Sequence, residues 1–391
     1  MTGDIHPSST HPPLPPTTED ERFFHLRLLR SRRVGPTTYH RLLAEHGSAR
    51  AALDALPEVA RAAGVDRYSL CPEQIVDREL AAGVRAGARL LIHGQQDYPA
   101  PLTELTDAPP ILWAVGDLDV LQRPALAVVG ARNASALGTR MAKSLVQELG
   151  QNGYVIVSGL ARGIDTAAHL AALSTGTIAV QAGGVDVMYP AENTSLAGNI
   201  AEKGLRVSEQ PFGLQPQARH FPARNRIIAG LAKACIVVEA AAKSGSLITA
   251  RDASDLGRDI LAVPGHPFDA RAAGCNILIR EGATLVRRAE DVIEAISPFV
   301  TPAIEKLSQG DPVLPLQAPP TGKTAQPAKP EADTAALHQL ILSRLSTTPI
   351  AEDELVRALQ KSSEHIAPAL VDLELNGDIQ RHIGGFLSRQ S

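Results

Sequence analysis

The residues with the clearest chemical role in this sequence of 391 residues are two arginines in the string FPARNRIIAGL. Arg224 and Arg226 flank Asn225, so two permanent cations and an amide stand within three positions. Apolar residues follow at helical spacing, which predicts that the polar triplet stands at the start of a short buried helix. Guanidinium groups beside the free N–H groups of a helix start can bind phosphate oxygens. The alternative is that both arginines bridge surface carboxylates.

Further cations follow short apolar runs elsewhere in the sequence. These are Arg132, Arg162 and Lys243. Small residues next to them would leave backbone N–H groups open to phosphate. They are Ser158, Gly159, Gly163, Ser244, Gly245 and Ser246. Phe221 could offer a flat face to a nucleobase, or it could be a core side chain under the loop. Together these residues predict a groove that follows a phosphodiester backbone.

Four side chains could serve acid–base catalysis: Asp165, His169, Asp186 and Glu239. Asp165 and His169 are four residues apart, on one face of a predicted helix, so they could form a catalytic dyad. The favoured alternative makes Asp165 a helix cap or a first-turn charge of that helix and His169 a packed partner. The sequence contains no metal-ligand cluster and no nucleophile elbow. Its three cysteines have no CxxC spacing, which indicates buried thiols in a reducing compartment.

Seven short apolar runs predict the strands that position these residues. They are 126–129, 155–157, 177–180, 205–207, 235–238, 260–263 and 283–286. Helical patterns stand between most of them, for example 137–149 and 166–173. This alternation predicts an α/β fold with a doubly wound, mostly parallel, Rossmann-like sheet. The cationic loops follow or precede these strands, so they should meet at the carboxyl edge of the sheet.

A dinucleotide cofactor does not fit the first of these loops. Arg132 stands where the GxGxxG fingerprint has its second glycine, and no carboxylate closes a second strand about twenty residues on. We therefore expect neither a nicotinamide nor a flavin cofactor.

Smaller segments flank the predicted sheet domain of residues 98–297. Residues 1–18 are rich in proline, which predicts a disordered leader. Residues 19–97 are predicted to form helices joined by turns at Gly35 and Gly47, typical of SAM-like or helix-hairpin-helix modules. Such modules contact either DNA or protein. A proline-rich linker, 298–332, precedes three helices and a hairpin at 333–391, which predict a winged helix. Its recognition helix has acidic residues and no Lys or Arg, which favours protein contact or a structural role.

The overall composition restricts any polyanion site to a local patch. The formal charge is −4 and the isoelectric point is near 6.3. Hydrophobic residues make up 44% of the chain, enough for at least one sizeable core. The N-terminal residues lack the apolar run of a signal peptide, and no run approaches eighteen apolar residues. We expect a cytoplasmic protein.

Several strings, in this order, resemble those of the DprA (Smf) DNA-processing protein family. They are VVGARNAS, SGLARGIDTAAH, YPAEN, FPARNRIIAGL, VVEAAAKSGSLITA, AVPG and GCNILIREGA. The resemblance covers about residues 99–296. It implies an extended Rossmann domain that works as a homodimer, binds single-stranded DNA without sequence preference, protects incoming DNA during natural transformation and helps load the RecA recombinase. The DNA-contacting residues that it implies are Arg132, Ser158, Gly159, Arg162, Phe221, Arg224, Asn225, Arg226 and Lys243.

An enzyme is the alternative function. Nucleotide phosphoribohydrolases of the lysine-decarboxylase-like class distantly resemble this domain and use a PGGxGTxxE loop. Here the matching loop is AGGVDVMYP, without the threonine and glutamate that would stabilise a ribosyl cation. We therefore expect a DNA-binding mediator and no enzymatic activity.

The last predicted strand and the segment before it suggest an interface between two copies. Ile277, Leu278, Ile279 and Leu285 should lie at one end of the sheet, where an open edge must be covered. An isologous contact would cover it. The alternative is that these side chains pack under their own helix.

Overall fold

The computed structural model describes residues 18–297, 331–345, 350–351, 355, 359, 363–382 and 386–389. The chain divides into two compact units, Met1–Leu307 and Ser308–Ser391. All but the last residue of the predicted leader and nearly all of the predicted linker lie outside the described residues. Within the part of the chain that the structure describes, no helix is long and apolar enough to cross a membrane.

Four helices open the first unit: α1 Thr18–Arg30, α2 Pro36–His46, α3 Ala49–Ala62 and α4 Glu73–Arg85. The turn predicted at Gly47 is present, whereas the one predicted at Gly35 lies slightly earlier, closed by a hydrogen bond from the Val34 N–H to the Ser31 carbonyl. Gly47 ends α2 with φ of 77°, a left-handed conformation that glycine adopts without strain. Ser48 then caps α3, because its side chain accepts a hydrogen bond from the N–H of Ala51. The predicted helical module is thereby confirmed.

A sheet of nine strands follows: β1 Arg89–Ile92, β2 Ile111–Gly116, β3 Ala125–Gly130, β4 Val155–Ser158, β5 Thr177–Val180, β6 Leu205–Ser208, β7 Ala234–Val238, β8 Asp259–Ala262 and β9 Thr284–Leu285. Its order is β1-β2-β6-β5-β4-β3-β7-β8-β9. Seven neighbouring strands, β6-β5-β4-β3-β7-β8-β9, run parallel to one another. Strand β2 is antiparallel to both β1 and β6. All seven predicted strands are present, as β3 to β9.

The first two strands correct the predicted domain boundary. The sheet begins at Arg89, inside the span 19–97 that the sequence pattern assigns to the helical module. Short apolar runs such as RLLI and ILWAVG cannot be told from buried helix segments by periodicity. Tertiary packing selects the strand conformation here. The Trp113 ring of β2 packs against Gly83 of α4, where an added Cβ would lie 2.5 Å from the ring.

Seven further helices cover the two faces of the sheet: α5 Ala136–Gln151, α6 Ile164–Ala172, α7 Thr194–Lys203, α8 His220–Leu231, α9 Ser246–Asp255, α10 Ala273–Arg280 and α11 Ala289–Ile296. Short 3₁₀ helices occupy Ala100–Glu104, Leu118–Gln122 and Ala191–Asn193. Strand β7 shows how the faces are divided. Its Cys235 and Val237 join one hydrophobic cluster, and Ala234, Ile236 and Val238 join the other.

The second unit is a winged helix. Its elements are α12 Glu331–Arg344, β10 Ile350–Ala351, α13 Ser363–Leu375, β11 Ile379–His382 and β12 Phe386–Arg389. The strands form an antiparallel sheet of order β10-β12-β11 over a core that includes Ile341 and Leu370. The predicted hairpin is present, although its turn at residues 383–385 lies outside the described residues, as does most of the second of the three predicted helices.

The parallel part of the large sheet fixes where a ligand can bind. The chain moves outward from β3 in one direction through β4, β5 and β6, and in the other through β7, β8 and β9. Loops leave the carboxyl ends of β3 and β7 toward opposite faces, which opens a crevice there.

Candidate nucleic-acid interface

The position of the arginine pair in helix α8 differs from the sequence prediction. The helix begins at His220, so Arg224, Asn225 and Arg226 lie on its second turn and not at its start. Their backbone N–H groups are therefore within the helix and not free for phosphate. Residues two apart on a helix do not share a face, so the two guanidinium groups point to different surroundings.

Arg224 is a buried residue that holds the floor of the crevice. Only 5% of it is exposed, and its Nη1 donates a hydrogen bond to the carbonyl of Val180 at 2.8 Å. Burial lowers the pKa of Arg224 to about 10, and the neighbouring Asp165 carboxylate opposes this shift. A Cβ on Gly159 would lie 1.9 Å from Nη1, so glycine is required for the close approach of loop and guanidinium.

Asp165 and His169 are engaged in holding the loop after β4. The Asp165 carboxylate accepts hydrogen bonds from the N–H groups of Gly159 and Ala161, at 3.1 and 3.2 Å. Burial raises its pKa, and Arg224 and these hydrogen bonds oppose that shift. The pair therefore matches the favoured alternative, a first-turn charge with a packed partner.

The hydrogen bonds of His169 require a neutral imidazole. Its Nε2 accepts from the N–H of Leu160 at 3.3 Å. Its Nδ1 lies 2.7 Å from the hydroxyl of Thr177, which itself donates to the carbonyl of Ile156, so Nδ1 carries the proton. Burial lowers the pKa of His169 to about 3. A side chain fixed in this tautomer within the core has no access to a substrate.

The exposed side of the crevice combines a cation with an aromatic ring. The Arg132 guanidinium carbon lies 5.1 Å from the ring centroid of Phe221, a cation–π distance. Phe221 is half-buried, and the ring of Tyr189 lies 5.8 Å from it. Arg132, Phe221 and Arg224 line two adjoining cavities, of about 430 and 590 Å³. A flat face and a cation are thus presented together to solvent.

The loop after β7 forms the far wall of the larger cavity. Lys243, Ser244 and Ser246 all line it, and Lys243 is exposed. The two serine hydroxyls are hydrogen-bonded to each other at 2.7 Å. Asn225 faces this loop from α8, with its Nδ2 3.5 Å from the carbonyl of Gly245. The structure therefore brings these predicted residues together with Arg132 and Phe221.

The loop after β4 lines the crevice with its backbone more than with its side chains. Ser158 is fully buried, and its hydroxyl donates to the carbonyl of Val128 at 2.7 Å. Gly163 has φ of 76°, and a Cβ on it would lie 2.2 Å from the carbonyl oxygen of Ala131. Arg162 lines the smaller cavity and forms an exposed ion pair with Glu192 at 3.4 Å.

Arg226 lies apart from these cavities. Its Nε is 3.0 Å from the Asp107 carboxylate, and its Nη2 is 2.6 Å from the Glu209 carboxylate. It lines a different cavity, together with Arg30 of α1. Burial raises the pKa of Glu209, and the Arg226 charge opposes that shift. The expected phosphate contact of Arg226 is therefore replaced by a carboxylate-bridging role.

Glu239 has a role that the sequence analysis missed. Its carboxylate accepts hydrogen bonds from the N–H of Ser135, at 2.8 Å, and from the Ser135 hydroxyl. Ser135 in turn caps α5. In dinucleotide-binding sheets the start of this helix receives the pyrophosphate, so here a carboxylate fills that place. No short-range sequence signal reveals a contact between residues so far apart along the chain.

The last acid–base candidate, Asp186, is also held by a hydrogen bond within the protein. The Asp186 carboxylate accepts from the N–H of Gly213 at 2.9 Å. Among the described residues, no group of three or more His, Cys, Asp or Glu side chains could hold a metal ion.

Of the predicted interface residues, Leu285 lies on the edge strand of the sheet. Strand β9 is terminal in the sheet order, and Leu285 on it is 41% exposed. Ile277, Leu278 and Ile279 on α10 are half-buried, and the last two pack against their own core.

A protein-family comparison identifies the large sheet domain. Residues 89–297, more than half of the chain, match the model described as DNA recombination-mediator protein A. The chain belongs to the DprA (Smf) family. Residues 19–82 match the DprA-like N-terminal helix-hairpin-helix domain, and 325–385 match the DprA winged-helix domain.

Individual DprA proteins are similar to this chain in sequence and in structure. The DNA processing protein DprA of Streptococcus pneumoniae is 50% identical over 198 residues, which are 50% of this chain and 70% of that protein. The X-ray structure of S. pneumoniae DprA superposes with a TM-score of 0.54 at 37% identity, over 68% of this chain and 100% of that one. DNA processing protein A of Helicobacter pylori, described with a single-stranded DNA binding mode, gives a TM-score of 0.50 at 31% identity, over 54% of this chain and 95% of that one.

Proposed function

We propose that this chain binds single-stranded DNA, without sequence preference, along the carboxyl edge of its large sheet. The observation that carries the proposal is the exposed Arg132 guanidinium over the Phe221 ring, between two open cavities. Cations together with aromatic faces are what single-stranded nucleic acid requires, because every base has a face to stack and every nucleotide a phosphate. The single-stranded DNA binding mode of the H. pylori relative supports it.

The residues of the groove divide into four roles. Arg132, Arg162 and Lys243 supply exposed charge for phosphates, and Phe221 supplies the face for a base. Ser244 and Ser246 offer hydroxyl and backbone donors from the loop after β7. The others shape the floor from buried or half-buried positions: Ser158, Gly159, Gly163, Arg224 and Asn225. Arg226 is left out of this set because two carboxylates already bind it.

We further propose that the chain acts as a non-enzymatic mediator in the cytoplasm. As the DprA resemblance implies, it would work as a homodimer, protect incoming DNA during natural transformation and help load the RecA recombinase. The internal engagement of Asp165, His169, Asp186 and Glu239 supports a binding role over a hydrolytic one.

A binding comparison tests the proposal. The full chain is titrated against a fluorescent single-stranded oligonucleotide of mixed sequence, then against the same strand annealed into a duplex. We expect the single strand to bind at least about tenfold more tightly, since the bases of a duplex cannot stack on Phe221. Equal affinity for the duplex, or release of free base from nucleoside monophosphates by the same preparation, would contradict the proposal.

A further inference from the structure

The loop after β8 presents an aromatic ring that the proposed groove does not yet use. Phe268 is 95% exposed, the highest exposed fraction among the large apolar side chains that the structure describes. Its ring packs on no hydrophobic cluster, and the one ring contact it makes is with His266, at 5.6 Å between centroids. A phenylalanine in this position contributes little to the stability of the fold.

The loop itself is held firmly. Gly265 and Asn276 exchange two hydrogen bonds, from the Gly265 N–H at 3.2 Å and to its carbonyl at 3.0 Å. The N–H of Asp269 donates to the carbonyl of His266 at 2.9 Å. The Asp269 carboxylate also pairs with the Arg271 guanidinium at 3.1 Å. The ring is therefore presented by an ordered loop, which limits the entropy cost of a contact.

The position of the loop continues the proposed groove. Loops leave the carboxyl ends of five neighbouring strands in the order β5, β4, β3, β7, β8, a row about 19 Å long. Arg271 lines the larger cavity together with Lys243 and Ser244. The N–H of Gly274 donates to the carbonyl of Ala240 at 2.7 Å, which fixes the start of α10 against the loop after β7.

We infer that Phe268 is a second stacking platform for single-stranded DNA, at the far end of the groove from Phe221. A strand that leaves the Lys243 loop would pass Arg271 and place a base on the Phe268 ring, with His266 behind it. The inference rests on the proposed function, because it extends the same groove by one more base. The occupant is DNA and not a second copy, since Arg271 joins this loop to the cationic cavity.

Oligonucleotides of two lengths test the inference. Wild type, Phe268→Ala and Phe268→Trp are compared on oligothymidine of about 5 and about 15 nucleotides, within the usual range of site sizes. Phe268→Ala should weaken binding of the longer strand about fivefold or more and leave the shorter strand unaffected, while Phe268→Trp should restore binding. Val84→Ala, at an 81% exposed position on α4, is the control and should match wild type.

An abasic scan then identifies the contact as stacking. The missing base is moved along the longer strand, and at one position its effect and that of Phe268→Ala should be non-additive, because both remove the same contact. If wild type binds the longer strand and Phe268→Ala binds each length as tightly as wild type does, the inference fails and the proposed function stands. If wild type binds neither strand, both fail. A shift of Phe268→Ala to monomer by light scattering, with DNA affinity unchanged, would assign the ring to a second copy and overturn the inference.

Discussion

Two arginines of the groove act in different ways because one is exposed and the other is buried. Arg132 faces solvent over Phe221 and can reach a phosphate. Arg224 is buried, donates to Val180 and lies against Gly159, so it shapes the site before any ligand arrives. A charge of the first kind should contribute to the salt dependence of binding, and one of the second kind to the stability of the loops.

Arg226 provides a contrast within the same helix. Arg226→Ala leaves the largely buried Glu209 without its cation, and breaking a buried pair costs about 3–5 kcal/mol. We expect urea denaturation to show this loss while the affinity for single-stranded DNA is unchanged in the folded protein. Arg226→Ala combined with Glu209→Gln should recover part of the stability. A stable Arg226→Ala variant that binds DNA weakly would instead place Arg226 in the groove.

His169 should make the protein sensitive to acid. In the unfolded chain its imidazole takes up a proton near pH 6.5, whereas in the folded protein the pKa is lowered to about 3. The unfolded state therefore binds more protons between these values, so the free energy of unfolding should fall as the pH is lowered from about 6.5 toward 3. In urea denaturation at a series of pH values, His169→Gln should show a flatter dependence over that window. Parallel curves for the two proteins would contradict this account.

At the scale of elements, the loops of the crevice are held by neighbouring elements as well as by hydrogen bonds within their own segments. The loop after β4 packs on Arg224 of α8, and the loop after β3 is held by Glu239, which follows β7. Glu239 has φ of 55°, an uncommon conformation for a residue with a side chain. The crevice is therefore formed by contacts between elements that are distant in sequence.

A pair of glycine variants tests this arrangement. Gly159→Ala would place a Cβ 1.9 Å from the Arg224 guanidinium, so we expect lower thermal stability and weaker DNA binding together. Gly198→Ala is the matched control, since Gly198 lies in α7 with nothing within 4 Å of the added Cβ. It should keep wild-type binding and gain up to about 1 kcal/mol of stability. Equal behaviour of the two variants would show that the close approach at Gly159 is not needed.

The sequence predicts the elements of this molecule better than the directions of its side chains. Apolar runs bounded by glycine loops indicate β3 to β9, because fully buried parallel strands are almost continuously hydrophobic. The pattern around Arg224 and Arg226 predicts a helix but misplaces its start. It also does not show that Arg226 meets the Asp107 and Glu209 carboxylates, because these residues are distant in sequence. The role of Glu239 depends on packing between distant segments, which no local spacing encodes.

At the scale of the whole molecule, the open edge at β9 remains the proposed place of contact between two copies. A substitution of Leu285 tests this contact most specifically, because Leu285 is 41% exposed. Leu278 and Ile279 also pack on their own core, so substitutions there would affect stability as well. Leu285→Glu should give a folded monomer by light scattering, with weaker binding to long strands because two grooves no longer act together. Val84→Glu, at an exposed position on α4, should remain dimeric. A dimeric Leu285→Glu variant, or a monomeric wild type at micromolar concentration, would contradict this interface.

The salt dependence of single-strand binding tests the central claim most directly. For wild type, the logarithm of affinity should fall linearly with the logarithm of salt concentration, with a slope of about −0.7 for each phosphate engaged. Arg132→Ala should weaken binding to all sequences alike and make the slope shallower by about 0.7, whereas Arg226→Ala should leave it unchanged. An affinity that does not respond to salt, a preference for one base sequence, or an unchanged slope in Arg132→Ala would contradict a phosphate-following groove at the carboxyl edge of the sheet.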